Sequence, residues 1–228
     1  DGALRHKASP SEGEPTSSFI SGRRRRRAHM LSVEGVVTAT GGPAISFEVT
    51  AGHCIGLLGS PEAVSGLLRV AAVLSKPLSG RIRLDGLDVV SHAVAARRRL
   101  AANLSGVHQS RVTMGEYLST IAAARTAATT RIRLPVGTLI DQLGLSRHEL
   151  LSSRESRSSA ALAAALLPDV PLVVLDEPFR FVRPAARAGG VEIIRALAQQ
   201  SVAVLIGSSE ERDARDVSHH VRRLGVEP

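Results

Sequence analysis

Leu172-Val-Val-Leu-Asp-Glu-Pro178 decides the fold of this chain. Four apolar residues run directly into two adjacent carboxylates and a proline. A continuous apolar run of this kind predicts a strand buried on both faces of a parallel sheet. Asp176 and Glu177 then fall at the carboxyl end of that strand, where open α/β sheets bind their ligands.

A second pattern lies upstream. Residues 54–69 read Cys-Ile-Gly-Leu-Leu-Gly-Ser-Pro-Glu-Ala-Val-Ser-Gly-Leu-Leu-Arg. The run 55–58 predicts a short buried strand ending at Gly59, and Ala63 to Leu74 has helical apolar spacing. Strand, turn and helix are the layout of a phosphate-binding loop, G-x-x-x-x-G-K-[ST]. In nucleotidases with that loop, an aspartate placed like Asp176 holds magnesium, and a glutamate placed like Glu177 can polarise the attacking water.

The loop's chemistry departs from the pattern. Counted from Gly59, Val64, Ser65 and Gly66 stand where the glycine, lysine and hydroxyl belong. Val64 is β-branched where the backbone should approach phosphates closely. Ser65 offers a hydroxyl but no positive charge, and Gly66 has no oxygen for magnesium. Glu62 adds a negative charge, and Pro61 removes a backbone N–H. What remains is Gly59, Ser60 and the free N–H groups of a helix start, which support weak anion binding. The chain has two lysines, Lys7 and Lys76, so no shift of register brings one into this loop.

At these residues the chain resembles the ATP-binding-cassette (ABC) ATPase family, from about Met30 to Pro228. Leu31 to Val49 resembles the family's opening antiparallel strands. Pro77-Leu-Ser-Gly-Arg-Ile-Arg-Leu-Asp-Gly-Leu-Asp-Val89 is similar to the segment after the P-loop helix. Leu162 to Pro178 is similar to the helix and strand that end in the acidic pair. The resemblance implies a P-loop NTPase-like α/β nucleotide-binding domain. It would have a mixed sheet core, an antiparallel β opening and a helical subdomain over about 93–165. It also implies ATP and magnesium as ligands, with Asp176 and Gln109 reaching the metal and Glu177 as the catalytic carboxylate.

Other family positions are changed. The adenine-stacking aromatic falls near Thr40. The L-S-G-G-Q signature maps to Ser152–Ser156, or to Leu151–Glu155 with a one-residue shift, and both glycines are missing in either register. The dimer-contacting L-D becomes Val182-Arg183, and the switch histidine becomes Ser209. The expectation is therefore a degenerate cassette with weak or no ATP binding and hydrolysis. It would be non-catalytic or regulatory, coupled to a transmembrane subunit, a second cassette, or both, at the cytoplasmic face of the membrane. Two alternatives stay open. One is an atypical but active magnesium-ATPase. The other is an interaction scaffold that uses its arginine run. For the acidic pair itself, the missing lysine favours inherited polar groups at a strand kept for packing.

Composition bounds the rest. The 228 residues suit one α/β domain plus a tail, and 43% apolar content can build its core. Aromatic content of 2% argues against stacking nucleic-acid bases on an aromatic platform. The lone Cys54 excludes an internal disulfide and is expected to be a small core residue. No apolar run approaches the roughly 18–20 residues needed to span a bilayer. Residues 1–29 are polar and are expected to be disordered. Their run Arg23–Arg27 is expected to be a solvated tail, with contact to acidic lipid or nucleic acid as the lesser reading. His219-His220 lacks the i, i+4 spacing of a helical metal site.

Overall fold

The computed structural model describes residues 29–104, 111–128 and 130–225. The chain opens with two antiparallel strands, β1 (His29–Val37) and β2 (Ile45–Thr50). Their alternating burial puts Leu31, Val33, Phe47 and Val49 inward. β3 (Cys54–Leu58) follows and runs into helix α1 (Pro61–Ala71). β4 (Ser79–Leu84) and β5 (Leu87–Asp88) form a hairpin across Asp85-Gly86. Both turn residues have positive φ, 47° and 77°, as a two-residue hairpin turn of this kind requires.

Then come α2 (Ala93–Arg98), β6 (Leu100–Asn103), α3 (Met114–Ala127), α4 (Val136–Gln142) and α5 (Arg154–Leu166). The chain returns to the sheet with β7 (Leu172–Asp176), α6 (Pro184–Gln199), β8 (Ala203–Ser208), α7 (Glu211–Val217) and β9 (His220–Arg223).

The strands form two sheets, in agreement with the α/β core and the antiparallel β opening expected from the sequence. The antiparallel sheet has the order β2-β1-β4-β5; the other, order β6-β7-β8-β3-β9, is parallel throughout. Alternate residues of the parallel strands feed two cores. Leu172, Val174 and Leu205 pack with α1 and the antiparallel sheet. Val173, Leu175 and Ile206 pack with α3, α5 and α6. Cys54 is in this second core, and burial pushes its thiol up to about 12, which keeps it unreactive.

Two local outcomes differ from the periodicity reading. β6 lies inside the span 93–165 expected as mainly helical, because Leu-Ala-Ala-Asn has no β-branched residue to signal a strand. α1 starts at Pro61 and not at Ala63. Ser60 caps it, its Oγ accepting from the Ala63 N–H at 3.3 Å, and Pro61 takes the first helical position. The arginine run Arg23–Arg27 and Gln109 lie outside the described residues.

Candidate functional site

The carboxyl ends of β3, β7 and β8 lie side by side in the parallel sheet. They bring Gly59, the pair Asp176-Glu177, and Ser208-Ser209 together. α1 leaves from the first of them. Only Gly59 and Ser60 separate β3 from α1, so the stretch that a phosphate-binding loop would use is helical from Pro61 onward. Val64 N–H donates to the Ser60 carbonyl at 3.0 Å and closes that first turn.

Each loop residue has a specific place. A Cβ at Gly59 would stand 3.1 Å from Leu224 Cβ and 3.4 Å from Val64 Cγ2. A Cβ at Gly207, at the end of β8, would stand 2.4 Å from Val64 Cγ1 and 2.6 Å from Leu68 Cδ1. The Val64 isopropyl group therefore fills the notch between two glycines at adjacent strand ends, and it is 3% exposed. Gly66 faces Thr38, just past β1. Ser65 points to the acidic pair: its Oγ donates to Asp176 Oδ2 at 2.6 Å. Lys76 lies past the carboxyl end of α1, a helix about 16 Å long.

The two acids have protein partners. Asp176 takes the Ser65 hydroxyl. Glu177 Oε1 accepts from the Ser209 backbone N–H at 2.7 Å, and Ser208 Oγ donates to Glu177 Oε2 at 3.4 Å. Glu177 has φ 46°, an uncommon conformation for a non-glycine residue. Its own N–H donates to the Gly207 carbonyl at 2.9 Å, which binds the turn to β8. Burial raises the Asp176 pKa above the ordinary aspartate value; the Ser65 hydrogen bond opposes this and the Glu177 charge adds to it.

That direction gives a test. A carboxyl whose pKa is raised on folding binds its proton more readily in the folded state. The fold therefore carries a cost at neutral pH, and this cost is relieved as pH falls through the raised value. Asp176→Asn is expected to raise the melting temperature at pH 7, with the gain shrinking as the solution is acidified. Melts followed by circular dichroism across pH would check it; a lower melting temperature for the variant at pH 7 would show that the carboxylate is stabilising.

Beyond the acids, the sequence reading missed a contact between the β7–α6 turn and α5. Ser153 caps α5, its Oγ accepting from the Ser156 N–H at 3.0 Å. Arg154, in the first turn, stacks on Phe181 with its guanidinium carbon 3.3 Å from the ring centroid. Arg180 lies 5.1 Å from the same centroid. Arg183 pairs with Glu149 through both terminal nitrogens, Nη1 at 3.2 Å from Oε2. The signal next to these contacts was Val182-Arg183, standing where the resemblance places L-D. A cleft of about 320 Å³ opens between this turn and α5, with Asp176 and Glu177 in its wall.

The sheet order, the strand-to-helix turn and the acidic pair now stand in one frame, and comparison with known proteins agrees with it. The profile of the ABC transporter family matches residues 43–180. The chain belongs to the ABC transporter family. Its fold is that of the family's nucleotide-binding domain. The daunorubicin/doxorubicin resistance ATP-binding protein DrrA of Streptomyces peucetius is 31% identical over 170 residues, covering 71% of this chain and 51% of that protein. A Nod factor export ATP-binding protein I of Paraburkholderia xenovorans is 28% identical over 186 residues, covering 78% and 60%. The thiamine import ATP-binding protein ThiQ of Photobacterium profundum is 28% identical over 211 residues, covering 84% and 83%. The chain thus spans 51% and 60% of the first two relatives' lengths.

Among solved structures, an ATP-binding subunit of an ABC transporter superposes with a TM-score of 0.72 at 20% identity, covering 86% of this chain and 85% of that one. The dimeric cassette MJ0796, bound to ADP and phosphate after hydrolysis, gives 0.72 at 14% identity, covering 86% and 94%. At such identities these likenesses speak for the fold. No helix among the described residues is long and apolar enough to cross a membrane.

Proposed function

We propose that this ABC transporter domain is a non-catalytic or regulatory cassette. It would work from the cytoplasmic side, held at the membrane by a transmembrane subunit, a catalytically complete second cassette, or both. The observation that carries the reading is the short β3–α1 connection with Val64 in the notch above the strand ends. ABC cassettes bind ATP with magnesium, and the residues here do not fit a tightly held triphosphate. A cradle of backbone N–H groups needs a loop to wrap the phosphates, and a lysine would offset their charge. This site has a two-residue connection and a valine. Gly59, Ser60 and Gly66 serve packing and capping in this reading. Ser65, Asp176 and Glu177 form a closed polar cluster with Ser208 and Ser209. Asp176 and Ser65 carry suitable oxygens for a weakly held magnesium ion. The names of the relatives, which include importers and exporters, support a role in transport.

The full chain should show no magnesium-dependent ATP binding in calorimetry and no ATP turnover in a phosphate-release assay. Turnover at an ordinary cassette rate, abolished by Glu177→Gln, would replace this reading with the active-ATPase alternative. Magnesium-dependent binding lost in Asp176→Ala, without turnover, would leave the regulatory role and remove the scaffold one.

A further inference from the structure

The cleft beside the acidic pair has a character of its own. One face of α5 supplies Arg154, Arg157 and Ser158, and the β7–α6 turn supplies Arg180 and Phe181, with Asn103 closing the far side. Arg154, Arg157 and Ser158 stand at i, i+3 and i+4, so they share one side of the helix. None of the three guanidinium groups forms an ion pair among the described residues. By contrast, nearby Arg183 and Arg187 are paired with Glu149 and with Asp213 and Asp216. Arg157 donates one hydrogen bond, from Nη1 to the Ser152 carbonyl at 2.7 Å, and keeps its other donors. Arg154 lies over Phe181, its guanidinium carbon 3.3 Å from the ring centroid, a contact that leaves its N–H donors without a carboxylate partner among the described residues. The acids in the wall are engaged by Ser65, Ser208 and Ser209 on the α1 and β8 side.

We infer that this cleft is an anion site for a diphosphate group, held by Arg154, Arg157 and Arg180 with Ser158 and Asn103 as neutral donors. Three guanidinium forks spread around about 320 Å³ match an anion with several oxygens and more than one charge. A single carboxylate would satisfy one fork and leave two. The diphosphate could be inorganic or the tail of a nucleotide; the arginine chemistry is the same. No lysine, phosphate-binding loop or magnesium ion is needed. The inference goes beyond the reading above, since the cleft keeps its arginines whether or not the cassette turns over ATP.

The test is calorimetry on the full chain with inorganic pyrophosphate, ATP and AMP, each with EDTA present, at low and high salt. Pyrophosphate should bind at least tenfold more tightly than AMP, and the affinity should fall with salt. Arg180→Gln and Arg157→Gln should each weaken it about tenfold, the usual loss for one charge-assisted hydrogen bond. Arg81→Gln, an exposed arginine on β4 in the antiparallel sheet, should change nothing. ATP and pyrophosphate binding alike would assign the site to the phosphate tail; ATP binding tenfold tighter would assign it to a nucleotide. Absence of heat with millimolar pyrophosphate, or unchanged affinity in Arg180→Gln, overturns the inference. Binding of hexaglutamate in place of pyrophosphate also overturns it, in favour of an acidic protein partner. Arg180 is exposed, and its side chain forms no hydrogen bond or ion pair among the described residues, so its variant decides the matter if Arg157→Gln unfolds. Magnesium-dependent hydrolysis would count against the proposed function alone and would leave these outcomes standing.

Discussion

Gly207→Ala is expected to destabilise the chain by about 2–3 kcal/mol, the upper range for adding a methyl group to a filled core. For a chain of this size that is a fall of roughly 5–10 °C in melting temperature. The new Cβ would meet Val64 Cγ1 at 2.4 Å and Leu68 Cδ1 at 2.6 Å, and both residues are buried. Val64→Ala alone should cost about 1–3 kcal/mol through the cavity it leaves. The informative quantity is the double variant. If the valine fills the notch, alanine at 64 makes room for the methyl at 207. The two costs should then be less than additive by about 1–2 kcal/mol. A cost for Gly207→Ala that is the same in both backgrounds would place the clash on Leu68. The valine would then not be what occupies the notch.

Arg187→Ala is the second large effect, about 3 kcal/mol at pH 7, as expected when one partner of a buried charge pair is removed. Arg187 Nη2 reaches Asp213 Oδ1 at 2.7 Å and Asp216 Oδ2 at 2.6 Å, and its guanidinium lies 5.3 Å from the Phe179 ring centroid. Asp213 is 7% exposed, so the variant leaves a buried carboxylate without its cation. The arginine also holds the Asp216 carboxyl below the ordinary aspartate value. A lowered carboxyl pKa contributes stability above the unfolded value and loses it as pH falls through the folded one. The gap between wild type and Arg187→Ala should accordingly be widest near neutral pH and should narrow in acid. Chemical denaturation at several pH values would measure it. A gap that stays constant into acid would mean that the arginine acts through packing on Phe179 alone.

Much of the frame was legible because a few segments carry strong local chemistry. Leu172 to Asp176 is β7 because an apolar run with two β-branched residues, ending in a carboxylate, suits little except a buried strand. Asp85-Gly86 carries a hairpin signal of the same strength, which the resemblance of Pro77–Val89 covered without its being read as a turn; both residues take positive φ. β6 was hidden because its residues, Leu-Ala-Ala-Asn, have no strand preference of their own; pairing with β7 makes it a strand. The start of α1 was legible in principle, since Ser60 followed by Pro61 is a helix-start signal. Counting loop positions from Gly59 obscured it. In the site, the Ser65–Asp176 and Glu177–Ser209 contacts join residues 111 and 32 positions apart. Such pairings follow from the order of strands in the sheet and cannot be read from any one segment. The arginine cleft is similar. Arg154 and Phe181 look like unrelated substitutions until α5 and the β7–α6 turn lie together.

Under the proposed reading, the start of α1 at Pro61 has a consequence for any attempt to build a phosphate-binding loop here. A lysine placed at 65 would replace the hydroxyl that Asp176 accepts, and it would sit on a helix whose first turn is already closed by Ser60 and Pro61. A glycine at 64 would empty the notch without unwinding that turn. Each change taken singly removes an interaction that the present fold uses, and none alone builds the loop. Building it would require the cap, the proline, the valine and the lysine position to change as one block.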